Sequence, residues 1–268
     1  MKRKTVEATM RGKRFRHLFH IVVVLLVALV LLLFSGQAGA RELLVVGAHF
    51  ERVFERTPEG EFTGLGPEIV RVLAAQLGHT VRFEIYPWAR AQAILSQGKA
   101  DILVGPYKSF ERVQRMAFSR RPFYQDQMVF YALNTSGIVW HGDFATLADH
   151  RIVIMNGWTY GEQFEQARPM LKVSVANSVE SGLKMVEAQH VVLFASSRRN
   201  TEPVLAKLGL AGQMAPLAHV IQVQDGYFAF PKRQLQEALR REFDQAFAGL
   251  VESGELKRLG QRFDVTVP

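Results

Sequence analysis

Short apolar runs alternate with helix-period segments twice along this chain, and that alternation limits it to a small set of folds. In the first series, residues 43–47 read as a strand. Ile69, Val70, Leu73, Ala74 and Leu77 then recur on one face of a helix, and Val81, Phe83 and Ile85 alternate as a second strand. Residues 88–97 form a second helix and residues 102–104 a third strand that stops at Gly105-Pro106. Gly66-Pro67 opens the first helix, with proline at the first helical position, and Gly78 and Gly98 stop the two helices. Strand, helix, strand, helix, strand is the pattern of a parallel sheet covered by helices.

A second series begins after an extended stretch at residues 128–132 and a helical turn at residues 143–149. Residues 151–155 read as a strand, followed by a helix from about residue 158 to 169 and a strand holding Val173 and Val175. Ser178 caps a helix carrying Leu183, Met185 and Val186. Residues 191–194 are a strand, residues 203–208 a helix, and residues 220–223 the last strand of this series. Residues 227–230 lead back to a long helix faced by Leu235, Leu239, Phe243, Ala246, Phe247 and Leu250, and a short helix spans residues 255–262. The expected fold is α/β with two lobes and two crossings between them, near residues 131–134 and 226–230. Residues 41–132 and 229–268 build lobe 1, and residues 133–228 form lobe 2, inserted in it.

The first forty residues have the composition of a targeting segment. Lys2, Arg3, Lys4, Arg11, Lys13, Arg14 and Arg16 precede an apolar run at residues 21–34, and Ala38-Gly39-Ala40 offers small residues to a signal peptidase. The other reading is an uncleaved anchor, for which fourteen apolar residues are short. Cleavage after Ala40 is expected. The segment also explains the formal charge of +8: it holds seven of the 33 Lys and Arg and one of the 25 Asp and Glu, leaving a mature chain near +2. That balance implies no nucleic-acid partner. The chain has no cysteine, which excludes disulfides, thiol catalysis and a lipid-modified cysteine at the cleavage site. Without a lipid anchor, a secreted receptor needs an outer membrane to retain it, so a periplasm is the expected compartment.

The stretch from Ala100 to Tyr124 carries the strongest chemical signal. Ser109 can cap a helical turn starting at Phe110, which sets Arg112 beside the carboxyl end of a strand, with Val113 and Met116 free to pack beneath. Sheets of this type bind ligands at the carboxyl ends of their strands. A guanidinium there suits a carboxylate, because its planar fork donates two parallel hydrogen bonds. The plainer alternative is a solvated arginine on a surface turn.

The order of features in this stretch is a short strand, a glycine-containing loop, Arg112, then Ala117-Phe118-Ser119. It resembles the signature of the bacterial extracellular solute-binding proteins of family 3, and the resemblance covers nearly everything after residue 41. It implies a two-lobed, periplasmic-binding-protein-like fold (type II) with two hinge crossings, closing on a ligand in the cleft. It also implies capture of a small carboxylate-bearing solute, an amino acid or a relative, and delivery to an ABC permease by a monomer without a cofactor. Arg112 would grip the carboxylate, and Thr159, in Asn156-Gly157-Trp158-Thr159-Tyr160-Gly161, stands where relatives hold the same group from the facing lobe. Trp88 would floor the site unless it is an ordinary core aromatic. Gly105, Pro106 and Tyr107 would offer oxygens to an amino group, Trp158 a second wall, and His49 a place at the cleft mouth.

Relatives usually place an acidic residue for the ligand ammonium after the strand at residues 191–194. Here the sequence runs Ala195-Ser196-Ser197-Arg198, and Ser196 stands at that position. Either the ligand lacks an α-amino group, or Glu51 or Glu55 supplies the charge. Catalytic residues are not expected, since no Gly-x-Ser-x-Gly elbow is present and no histidines pair at metal-ligand spacing. The alternatives are an enzyme on the same fold, resembling a cyclohexadienyl dehydratase, and a sensory receptor for a kinase or chemoreceptor.

Overall fold

The computed structural model describes residues 41–268, so the expected signal peptide, residues 1–40, lies outside the described residues. The chain begins with β1 (Glu42–Gly47), a hairpin of β2 (Glu55–Arg56) and β3 (Phe62–Thr63), α1 (Leu65–Gln76), β4 (Thr80–Ile85), α2 (Trp88–Ser96), β5 (Ile102–Tyr107), α3 (Phe110–Arg115) and β6 (Met116–Phe118). Then follow β7 (Tyr124–Leu133), β8 (Arg151–Met155), α4 (Glu162–Ala167), β9 (Lys172–Ala176), α5 (Val179–Glu187), β10 (Leu193–Ser197), α6 (Arg198–Lys207), β11 (Met214–Pro231), α7 (Gln234–Glu252) and α8 (Glu255–Phe263).

One sheet runs through the whole, in the order β4-β1-β5-β11-β7-β10-β8-β9, with β6 beside β11. β1 pairs in parallel with β4 and β5 in one wing, and β8 pairs in parallel with β9 and β10 in the other. The wings meet through the antiparallel β7–β11 ladder, whose register runs from Leu133↔Met214 to Tyr124↔Gly226. Parallel strands covered on both faces must be apolar throughout, and residues 102–107 of β5 are buried without exception.

Several local expectations change. Pro67 is the third helical residue, because α1 starts at Leu65. The Leu65 and Gly66 amides are satisfied by the Arg52 and Val53 carbonyls, and proline has no amide to satisfy. β5 continues through Gly105 and Pro106 to Tyr107. Gly105 has φ +90°, and the ladder to β11 skips register between Gly226 and Phe228, so a bulge carries the strand onward. Residues 220–223 and 227–230 are one 18-residue strand, β11. Val113 is exposed, whereas Met116 is buried.

The segment expected to be helical from residue 158 is irregular until Glu162. Tyr160 is fully buried; its hydroxyl donates to the Ala195 carbonyl (3.0 Å) and accepts from the Met155 amide (2.7 Å). That tertiary anchor holds residues 158–161 out of the helix. β10 likewise runs on to Ser197, placing Ser196 inside a strand.

Candidate functional site

Ser109 caps α3, its Oγ accepting from the Arg112 amide at 3.3 Å. This turn aims the Arg112 side chain inward, where the residue is only 7% exposed. Its Nε donates to Gln92 Oε1 on α2 (3.0 Å), and one terminal nitrogen donates to the Tyr107 carbonyl at the end of β5 (2.9 Å). The other donates to the Gly157 carbonyl, just past β8 in the opposite wing (2.7 Å). The same Gly157 carbonyl accepts from Trp88 Nε1 (3.0 Å). All three acceptors of the guanidinium are neutral, and among the described residues no carboxylate is within ion-pair distance of it. Burial pushes its pKa down to about 10, so it remains charged at neutral pH.

Arg112 lies in a wall shared by two cavities. One is a small aromatic cage lined by Phe50, Trp88, Gly105, Tyr107 and Trp158 with Arg112 itself. The Phe50 ring stands edge-on to Trp88 and Trp158, at centroid distances of 5.1 and 6.2 Å. The other is an open cleft of about 1200 Å³ between the wings, reached by Gln92, Arg112, Gly157, Trp158, Thr159 and Glu165.

Behind the cage lies a second charge system. Arg199, on α6, grips Asp126 of β7 with a fork of two bonds, Nε to Oδ1 (2.9 Å) and a terminal nitrogen to Oδ2 (2.6 Å). Their side chains are 8% and 2% exposed. The Tyr107 hydroxyl also donates to Asp126 Oδ2 (2.6 Å), while Arg199 donates to the Glu51 carbonyl and Asn200 Oδ1 accepts from the Glu51 amide (3.1 Å). Burial opposes the charge on Arg199, but the Asp126 carboxylate outweighs it and holds the guanidinium above its ordinary value. Burial, then the Asp126 charge, keep the Tyr107 phenol protonated far above its usual range.

Residues 45–265 match the bacterial extracellular solute-binding proteins, family 3. The chain belongs to that family. A family-3 solute-binding protein similar to it is the probable amino-acid-binding protein YxeM of Bacillus subtilis (strain 168), 22% identical over 257 residues, which cover 92% of this chain and 96% of that one. A solved histidine kinase sensor domain with similarity to periplasmic binding proteins is 18% identical, with a TM-score of 0.76 over 85% of this chain and 99% of the other. The substrate-binding protein of an amino acid ABC transporter is 19% identical, with a TM-score of 0.70 over 83% and 98%. The fold is the two-lobed type II periplasmic-binding-protein fold.

In this family-3 protein, Arg112, Trp88, Tyr107, Gly105 and Trp158 come together around the cage, and Gly157 and Thr159 line the adjoining cleft. Pro106 is buried in β5 between two of them. The Gly105 carbonyl already accepts from the Tyr124 hydroxyl (2.9 Å). Thr159 precedes no helix directly, since α4 starts three residues later.

Ser196 and His49 line neither cavity. Ser196 is fully buried, its Oγ bonded to Thr201 Oγ1 at 2.7 Å. The His49 side chain is 56% exposed, with Nε2 3.2 Å from Glu51 Oε1. His49, Glu51 and Glu55 bring their donor atoms within 4.8 Å of one another. Burial, then the neighbouring Glu51, raise the Glu55 carboxyl above its ordinary value.

Gln92, Asp126 and Arg199 were not singled out from the sequence. Gln92 was within reach, because it lies four residues after Trp88 and so on the same helix face. Asp126 and Arg199 are 73 residues apart and show no local signal.

Proposed function

We propose that this chain captures a small carboxylate-bearing solute, an amino acid or a relative, outside the cytoplasmic membrane and passes it to an ABC permease. Residues 41–132 and 229–268 would form one lobe and residues 133–228 the other. The solute would lie between them, its carboxylate on Arg112 and its body against Trp88, Trp158 and Phe50. Thr159, Gly157 and Trp158 would meet it from the second lobe, with Tyr107 and Gly105 lining the first; Pro106, buried in β5, lines neither cavity.

One observation carries this reading. Arg112 is a buried cation whose partners are all neutral, and a charge removed from water is poorly compensated without an opposite one. A carboxylate reaching it through the cleft supplies the missing charge in the geometry a guanidinium prefers. Membership of an extracellular solute-binding family supports binding as the function.

Mass spectrometry of solute released from the purified protein tests the proposal. A carboxylate whose binding is lost in Arg112→Ala is expected. A released solute without a carboxylate, or turnover of that solute, refutes it. The likeness to a kinase sensor domain supports a second reading, in which the bound form signals. Deleting the gene should abolish uptake of the identified solute under the transport reading and leave uptake intact under the sensory one.

A further inference from the structure

We infer that the solute carries a single carboxylate and no cationic group, and that the Arg199–Asp126 pair sets this selectivity. The inference rests on the proposed role of Arg112 and goes on to ask what else the site can accept.

Three charged side chains are buried around the cage: Arg112, Arg199 and Asp126. Asp126 neutralises Arg199, so the set carries one net positive charge, on Arg112. A monoanion balances it. A zwitterion would bring a cation into a site already holding two guanidiniums, and like charges at close range are unfavourable.

The hydrogen-bonding inventory points the same way. An ammonium has three donors and no acceptor, so it needs free acceptors once it leaves water. Both Asp126 oxygens are taken, Oδ1 by Arg199 and Oδ2 by Arg199 and Tyr107. The Tyr107 carbonyl accepts from Arg112 and the Gly105 carbonyl from Tyr124, which leaves one lone pair on each, and the Gly157 carbonyl accepts from Arg112 and Trp88, so only neutral carbonyl oxygens, and no free carboxylate, would face an ammonium there. The remaining surfaces of the cage are the rings of Phe50, Trp88 and Trp158; the space among them is about 10 Å³, so an apolar body would have to part these rings to pack against them.

The other acids near the cleft have partners of their own. Glu165 pairs with Arg168 (3.3 Å) and Glu111 with Arg115 (3.0 Å), with side chains 37% and 70% exposed. Glu51 and Glu55 lie against each other and against His49, their polar atoms within 4.8 Å of one another, with His49 Nε2 3.2 Å from Glu51 Oε1. None is buried beside Arg112 as a counter-charge.

The test uses the mature protein and matched pairs: L-phenylalanine with 3-phenylpropanoate, L-leucine with 4-methylpentanoate, and L-tryptophan with 3-(indol-3-yl)propanoate, plus glycine betaine, a zwitterion whose quaternary ammonium aromatic rings can hold without a hydrogen-bond acceptor. Thermal shift screens the panel and calorimetry measures the hits. In the pair that binds best, the amine-free acid should bind at least about tenfold more tightly, and Arg112→Ala should abolish it. Tighter, Arg112-dependent binding of an amino acid or of glycine betaine overturns the inference and leaves the carboxylate reading standing. Binding of the amine-free acids that survives Arg112→Ala overturns the carboxylate reading, and no binding across the panel overturns both.

Two variants probe the pair directly. Arg199→Gln frees the Asp126 carboxylate and should move the preference about tenfold toward the amino acid, whereas Arg199→Lys, which keeps the charge, should leave it near wild type. An unchanged preference in a folded Arg199→Gln protein refutes the role of the pair. If circular dichroism shows that variant unfolded, the wild-type panel decides.

Discussion

Replacing Asp126 with alanine should be among the most damaging single changes outside the apolar core. Its carboxylate is 2% exposed and accepts three hydrogen bonds, two from Arg199 and one from Tyr107. Removal leaves the Arg199 guanidinium buried without an anion, with only the Glu51 carbonyl and Asn200 Oδ1 (3.4 Å) as acceptors. Breaking a buried pair by deleting one partner costs roughly 3–5 kcal/mol. For a protein of this size each kcal/mol moves the melting temperature by about 2–4 °C, so a fall of roughly 6–20 °C is expected.

A double-mutant cycle shows whether the cost comes from the orphaned charge. Asp126→Leu with Arg199→Leu removes both ions, and replacing a buried pair by apolar residues is often neutral or stabilising. The double variant should therefore be more stable than Asp126→Leu alone, with a coupling of about 0.5–3 kcal/mol between the sites across wild type, the two leucine singles and the double. Thermal and urea unfolding followed by circular dichroism give the four stabilities. A loss under about 1 kcal/mol in Asp126→Ala, the value of an exposed pair, or a cycle without coupling, would show that the pair is solvated and the reasoning wrong.

The remaining predictions concern the cleft, its rim and the chain start. Arg112→Ala should weaken binding of the solute recovered from the protein by roughly thirtyfold to several thousandfold in calorimetry, from about 2–5 kcal/mol for a truncated buried charge pair, while circular dichroism stays unchanged. Arg112→Lys should also bind poorly, because an ammonium cannot reproduce the fork. Burial, then Glu51, raise the Glu55 carboxyl above its unfolded value, so ionised Glu55 opposes folding. Glu55→Gln should raise the melting temperature above pH 7, and the gain should disappear below the unfolded carboxyl value, where the wild-type group is protonated in both states. Mass spectrometry of the exported protein should find Arg41 as its first residue; Met1 on a membrane-bound product would refute cleavage.

The parts of the fold legible in the sequence are those set by local chemistry. β1 and β4 follow apolar runs and alternations, and Ser109 and Ser178 cap their helices as their positions suggest, accepting from Arg112 and Ser181 amides. Arg112 could be found because one serine cap fixes its direction. The misread parts depend on distant partners. Residues 224–226, Gln-Asp-Gly, give no strand signal, yet they are held in β11 by pairing with residues 124–126 of β7. Residues 158–161 lie between two apolar-faced elements and read as helix, but the buried Tyr160 hydroxyl bonds to β10 and the end of β8 instead. Ser196 matched a position in a family pattern. One further turn of strand in β10 took it into the core and put Arg199 next to β7.

On the proposed reading, the Gly157 carbonyl is the group a solute would replace. It would bridge the two proposed lobes, accepting from Arg112 in one wing while lying just past β8 in the other. A carboxylate taking that Arg112 nitrogen would exchange a neutral acceptor for an ionised one, and charge-assisted hydrogen bonds are roughly twice as strong as neutral ones. The exchange leaves no group orphaned. Gly157 keeps Trp88 Nε1 as a donor, and Arg112 keeps Gln92 and the Tyr107 carbonyl. The guanidinium would thus stay in place through Gln92 and Tyr107, so little side-chain ordering would be charged against binding. A link between lobes now made by one backbone carbonyl would be made by the solute instead. That coupling would make the closed form depend on a carboxylate, because the three groups now around Arg112 are neutral.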